Sequence, residues 1–288
     1  MTKLSVAAAI RFAYGFVFGQ IGAIIGLVWL PLVLVAILQF LPYAIGTAYS
    51  GGDPAQAGAA GALNLVFSTA ALVLYAMNCV SVTRQALGLR QGSASLHFAL
   101  GWPECRMFAA IVICGLILVA AIGTYVMIGT TLFAAAQKIP LLAYAAAIYA
   151  IAGLGAIAWI VLRLMFLLPP VVVVEERINL LRTWMLSRQN FWRMLAIVIA
   201  VTLPLLLVQS VAIVVIVGPG ILAPLPDSAA AVGVAFQDRV AMLDRHLASM
   251  LGLALVLAPF NLGLTLGASS YAYRTLAPSR PANRASAQ

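Results

Sequence analysis

Residues 194–226 read MLAIVIAVTLPLLLVQSVAIVVIVGPGILAPLP, without a single Asp, Glu, Lys or Arg. A helix rises about 1.5 Å per residue, so about 20 such residues cross a hydrocarbon core of about 30 Å. Five further charge-free stretches flank this one, at 12–52, 54–83, 107–137, 139–162 and 246–273. Trimming their Gly, Pro and polar ends gives six spans near 21–45, 62–82, 108–134, 141–166, 195–217 and 248–271. Period-two alternation is absent, which excludes a membrane β-barrel. The composition agrees: of 288 residues, 64% are hydrophobic and 8% charged. A soluble domain is about half apolar and about a quarter charged, so a soluble enzyme, a disordered chain and a disulfide scaffold are excluded. The expected fold is an all-α, polytopic bundle of six transmembrane helices with amphipathic interfacial helices. Residues 1–276 form one membrane domain and 277–288 a disordered tail.

The first stretch is long enough for two short spans, but no turn cluster divides it. We read 3–18 as a helix lying in the interface, its Phe12, Tyr14, Phe16 and Phe18 at headgroup depth, followed by one span. The apolar core is too long for a cleavable signal peptide, so the segment is expected to remain as a signal anchor.

Basic residues set the orientation. Lys3, Arg11, Arg84, Arg90, Arg106, Arg163, Arg177, Arg182, Arg188, Arg193, Arg274, Arg280 and Arg284 fall in one set of connections, and Lys138, Arg239 and Arg245 in the other. The acids divide as Glu104, Glu175 and Glu176 against Asp53, Asp227, Asp238 and Asp244. The positive-inside rule places both termini in the cytoplasm, with six spans. No block of five Lys or Arg occurs, so the formal charge of +9 is not a nucleic-acid signature; it suits contact with anionic lipid headgroups. Cys79, Cys105 and Cys114 lie in or beside spans and read as small apolar residues.

Aromatic stretches precede each outward span at 16–21, 102–107 and 190–195, and Arg106-Met-Phe-Ala aligns with Arg193-Met-Leu-Ala. A threefold hairpin repeat is one reading of this, and chance similarity between apolar segments the other. In the linker 175–188, after Pro169-Pro170, helical spacing puts Ile178, Leu180, Leu181, Trp184 and Met185 on one side and Glu175, Glu176, Asn179, Arg182 and Thr183 on the other. Such a helix floats on the inner leaflet or docks a cytoplasmic partner. On the opposite side, Val232, Phe236, Val240, Leu243 and Leu247 trace an amphipathic helix within 228–248.

Chemistry-bearing residues are scarce. His97 and His246 fall on opposite sides of the membrane, which excludes a two-histidine metal centre in one chain. Glu175-Glu176 lacks the Arg and the histidine motifs that prenyl-protein proteases need, since Leu180 stands where that Arg belongs. No nucleophile elbow, phosphate loop or metalloprotease motif occurs. Arg163 is the one ionisable residue inside a span; it is expected to snorkel to the surface or pair with Glu175 or Glu176, or else to contact a substrate or lipid phosphate. No buried acid is expected, which disfavours carboxylate-coupled transport. Asn64, Asn78, Gln209 and Asn261 are expected to bond between helices, and Gly15/Gly19, Gly22/Gly26 and the small-residue run 143–158 to admit close helix contact. Pro31, Pro204 and Pro259 are candidate kinks.

The stretch Arg163-Leu-Met-Phe-Leu-Leu-Pro169, then Glu175-Glu176, then Thr183-Trp-Met-Leu-Ser-Arg-Gln-Asn-Phe-Trp-Arg193 resembles bacterial six-span inner-membrane proteins related to the membrane domain of glycerophosphoryl diester phosphodiesterases. The likeness covers about 12–30 and 160–200, with Thr183 standing where Ser is expected. It implies the six-span fold and not the activity of the soluble phosphodiesterase barrel. We therefore expect a non-enzymatic scaffold or accessory subunit, without cofactor or metal, whose partners are membrane lipids and a membrane or cytoplasmic protein. The alternative is a carrier or lipid-handling protein using the Arg163 region. The candidate lipid or partner contacts are Arg163, Glu175, Glu176, Arg182, Trp184, Arg188, Trp192 and Arg193.

Overall fold

The structure, a computed structural model, describes residues 3–48, 54–89, 101–137, 139, 141–224 and 229–277. Asp53, Arg90, His97, Lys138, Asp227, Arg280, Arg284 and the tail beyond Ala277 lie outside the described residues. The described chain is all-α, and six of its helices are long and apolar enough to cross a membrane. In order they are α1 (Val6–Ala48), α2 (Pro54–Ala86), α3 (Trp102–Ala136), α4 (Leu141–Met165), α5 (Leu168–Glu175), α6 (Leu180–Ser187), α7 (Phe191–Val217), a 3-10 turn (Pro219–Leu222), α8 (Ala229–Arg245) and α9 (Leu247–Leu276). Every expected span falls on one long helix. The coarse conclusion is a multi-pass membrane protein.

The long helices pair in sequence as hairpins, α1 with α2, α3 with α4 and α7 with α9, while α1 also lies along α9 in the most extensive seam of the molecule. Three successive hairpins are thus present, but their entries differ. α1 is broken at Gln20 (φ −131°, ψ 21°), whereas α3 runs unbroken from Trp102 to Ala136.

Burial is confined to the arginine-rich end. Buried residues run from Leu4 to Pro31 in α1 and its lead-in, from Leu74 to Ala86 in α2, and from Glu104 to Cys114 in α3. They continue at Leu162–Leu164 in α4, Met194–Val201 in α7 and from Pro259 in α9. At the opposite end, no described residue in 58–73, 115–137, 141–161, 202–224 or 232–258 is buried. There the α3–α4 hairpin is held by its own tyrosines. The Tyr125 and Tyr149 rings stack at 5.3 Å, and each hydroxyl donates to a backbone carbonyl of the facing helix, Ala150 and Tyr125 respectively. Exposed apolar flanks need no protein cover in lipid, which is as apolar as Leu.

Several expectations are corrected. The N-terminal segment is helical up to the break at Gln20, as read, but it is packed rather than laid on the surface. Ala13, Phe16 and Val17 are buried, and only Phe18 of the four aromatics is strongly exposed. The cause is Gly263-x-x-x-Gly267 on α9: a Cβ at Gly263 would sit 2.7 Å from Val17 Cγ2, and one at Gly267 3.0 Å from Phe16 Cδ1 and 3.4 Å from the Ala13 Cα. Small residues at this spacing let helix backbones approach. Gly15, Gly19, Gly22 and Gly155 face open space instead, while Gly153 does serve contact, beneath the Tyr125 ring. Asn64 and Asn261 pair with Ser68 and Thr265 one turn along their own helices. Neither amide atom of buried Asn78 has a protein partner. α7 and α9 continue as helices through Pro204 and Pro259. A separate helix, α8, does form within 228–248, but it ends at Arg245, so Leu247 of the expected stripe opens α9; Phe236 and Val240 are exposed and Arg239 donates to the Ala223 carbonyl.

Gly267→Leu is expected to destabilise the detergent-solubilised protein by about 1–3 kcal/mol through overpacking, read as a lower melting midpoint. Gly22→Ala, placed in open space, should leave the midpoint unchanged.

Candidate functional site at the arginine-rich end

The linker after α4 forms two short helices rather than one. Pro169 and Pro170 sit in the first turn of α5, where a missing N–H costs nothing. They open a helix that is apolar on every side and therefore buried, against α2, α3 and α9. α5 ends as Glu176 takes a left-handed conformation (φ 50°), and the Asn179 side chain restarts the helix as α6 by accepting the Arg182 N–H at 2.9 Å. The expected continuous helix over 175–188 is thus divided at 176–179. α6 turns Thr183 and Ser187 inward, their hydroxyls bonded to their own helix, with Leu180 and Trp184 half-buried beside them. Leu181 and Met185 of the predicted apolar face point outward.

The two adjacent glutamates have opposite fates. The Glu175 side chain, 8% exposed, accepts from Arg182 Nε at 3.2 Å and the Tyr273 hydroxyl at 3.4 Å, with Arg177 Nη2 at 3.5 Å from its other oxygen. It ties α5 to α6 and α9. Glu176, 76% exposed, has among the described residues only Arg106 of α3, at 3.9 Å. A second buried carboxylate is Glu104, 3% exposed. One of its oxygens accepts the Gly101 N–H at 3.0 Å, closing the first turn of α3, and the other lies 4.0 Å from Arg84 on α2. The expectation of no buried acid is therefore overturned, because helix-end N–H groups and neighbouring arginines offset the desolvation of the charge.

Arg163 neither snorkels nor meets Glu175 or Glu176. It is 7% exposed, and its guanidinium carbon lies 4.5 Å from the Trp159 ring centre and 4.7 Å from that of Trp184. Trp159 is one turn away on α4; Trp184 comes from α6, and the two rings meet edge-to-face at 4.9 Å. Nη2 donates to the Arg188 carbonyl at 3.1 Å, while Nε has no partner. A desolvated cation between two indole faces gains about 2 kcal/mol or more, so the box latches α6 onto α4. Arg193 is also spent on structure. Its Nη1 donates to the Leu4 carbonyl at 2.9 Å while Asn190 Oδ1 accepts the Leu4 N–H at 3.2 Å, pinning the lead-in of α1 to the start of α7. Trp192 points outward, 76% exposed, in the manner of an interfacial anchor.

The structure therefore brings Arg163, Trp184 and Arg188 into one cluster and Glu175 and Arg182 into another, and places Glu176, Trp192 and Arg193 apart. Sequence reasoning missed Trp159, Glu104 and Tyr273. The i, i+4 spacing of Trp159 and Arg163 and the capping spacing of Gly101 and Glu104 were available signals; nothing marked Tyr273. Each buried carboxylate faces a basic side chain, and among the described residues no three His, Cys, Asp or Glu cluster as metal ligands. Two cavities lie among the described residues. One of about 410 Å³ lies among the break of α1, the end of α2 and the end of α9; the other, about 370 Å³, is a groove between α1 and α2 lined by Gln39, Asn64, Ser68 and Tyr75. Neither is lined by Arg163 or Asn78.

No known protein family matches the chain, and no curated protein or solved structure matches it either.

Glu175→Gln should cost about 2 kcal/mol of stability, less than the ~3–5 kcal/mol of a fully buried pair because Arg177 and Arg182 keep part of their solvation. Glu176→Gln should change the melting midpoint by under ~1 kcal/mol equivalent. Trp184→Ala should lower it by about 2–4 kcal/mol equivalent, since it combines lost packing with an uncovered buried cation, and Trp184→Phe should recover most of that loss.

Proposed function

We propose that this chain is a non-enzymatic scaffold or accessory subunit of the bacterial inner membrane, with its arginine-rich end and both termini in the cytoplasm. The observation that supports it best is how the polar groups are used. The buried or half-buried ionic side chains Glu104, Arg163, Glu175, Arg182 and Arg193 are engaged in holding helices together. The opposite ends of the hairpins, meanwhile, leave their flanks uncovered by this chain. A rigid base carrying separated apolar hairpins suits lateral association with another membrane protein. The positive-inside rule supports the orientation, and the described ends, Leu4 and Ala277, both pack against the core at the basic end, as an even number of spans requires. Kinship with the six-span proteins named above is part of the same proposal and rests on residues 12–30 and 160–200. The carrier alternative is less favoured, because the Arg163 guanidinium is engaged by Trp159, Trp184 and the Arg188 carbonyl.

Photoreactive residues placed singly at Leu116, Leu206 and Val215, on exposed flanks, test this reading in cells. The expected result is crosslinking of at least one position to one membrane protein in fixed stoichiometry. Crosslinks to lipid alone, together with solute movement across vesicles by the purified chain, would overturn it in favour of a carrier.

A further inference from the structure

We infer that the cavity of about 410 Å³ at the break of α1 is a binding site for the phosphate of an anionic phospholipid headgroup, with Arg274 as its cationic ligand; this inference is independent of the scaffold reading. Among the described residues its lining holds one charge, Arg274, and no acid. Of the other arginines at this end, Arg84 is shared with Glu104, Arg106 with Glu176, and Arg177 and Arg182 with Glu175. Arg274 has no ion pair or hydrogen bond to any described residue. A guanidinium presents a fork of donors that matches phosphate oxygens.

The rest of the lining suits a lipid rather than a small soluble anion. Phe12 and Phe16, their rings 6.4 Å apart, supply an apolar wall. Gln85 Nε2 donates to Gln20 Oε1 at 2.9 Å, which leaves the Gln20 amide hydrogens for an acceptor in the cavity. Gly15, Gln20, Gly88 and Arg274 are exposed while Phe16 and Ala86 are buried, so the cavity opens on one side. Gly88 holds φ +66°, and an added Cβ there would lie 3.9 Å from Arg274 Nη2, so the missing side chain keeps the guanidinium uncovered. We place this level at the headgroups because Arg274 follows directly on the charge-free stretch 246–273 in the last turn of α9, and Arg84 stands in the last turn of α2.

The test uses the full-length protein, delipidated in mild detergent, titrated with dioleoyl-phosphatidylglycerol or dioleoyl-phosphatidylcholine and read by native mass spectrometry. The wild type should retain one phosphatidylglycerol in preference to phosphatidylcholine. Arg274→Ala should weaken that retention about tenfold, the scale of one charge-assisted hydrogen bond. Gly15→Leu keeps the charge and, because a Cβ at Gly15 meets nothing within 4 Å, fills the cavity without a clash; it should weaken retention as much, which also decides the matter should Arg274→Ala unfold. Arg11→Ala, on the same helix but outside the cavity, should leave retention unchanged. Equal losses from Arg11→Ala and Arg274→Ala, or full retention in Gly15→Leu, would overturn the site in favour of diffuse surface attraction. Displacement of the lipid by millimolar inorganic phosphate would overturn the assignment to a lipid in favour of the free ion.

Discussion

Where the solvent is hydrocarbon, leucine against leucine gains almost nothing, so association of spans falls to close backbone contact and to polar groups that lipid cannot satisfy. The α1–α9 seam supplies the first. Gly263 and Gly267 receive Val17, Ile24, Phe16 and Ala13 so closely that no side chain fits between, and the first and last long helices of the chain are joined along it. The clamp of Asn190 and Arg193 on the Leu4 backbone then fixes α7 to the same lead-in. Closing the ends of a chain onto each other in this way makes the bundle one body at its basic end.

Polar groups supply the second. α5 brings apolar bulk into the space among α2, α3 and α9, and its last residue, Glu175, is held by two arginines and a tyrosine. Because the tyrosine comes from α9 and one arginine from α6, a single carboxylate orients three elements. Arg163 does the same for α4 and α6 through indole faces instead of a counter-charge, an arrangement in which the cation stays dry without an acid. Positive charge left over at this end, on Arg274 above all, is then available to the membrane surface.

The six long apolar helices and the helix within 228–248 were legible because they follow from charge-free length and 3.6-residue periodicity. What was not legible depends on contacts far apart in the chain. Gly15/Gly19 and Gly263/Gly267 share one spacing, and only the structure tells which pair meets another helix. Pro169-Pro170 signalled an interruption correctly, but that the chain resumes at once as the buried helix α5 depends on the space left by α2, α3 and α9. Glu175 and Glu176 are neighbours of identical chemistry, separated in fate by one left-handed residue. For Arg163, the nearest acids in sequence were the obvious partners; the ring from α6 that displaced them could be found only once the linker was seen to divide.

The central claim is that packing is confined to the basic end while the hairpins stand apart beyond it. Nitroxide labels placed one at a time along α3 from Met107 to Phe133, with oxygen accessibility recorded in vesicles, test it directly. The account predicts low accessibility at Met107, Ala110 and Cys114 and high accessibility from Leu116 to Phe133, except on the side facing Tyr149. A protected stripe that recurs every three to four residues out to Phe133 on a face away from α4 would contradict it, because the hairpin would then be buried against the rest of the bundle along its whole length.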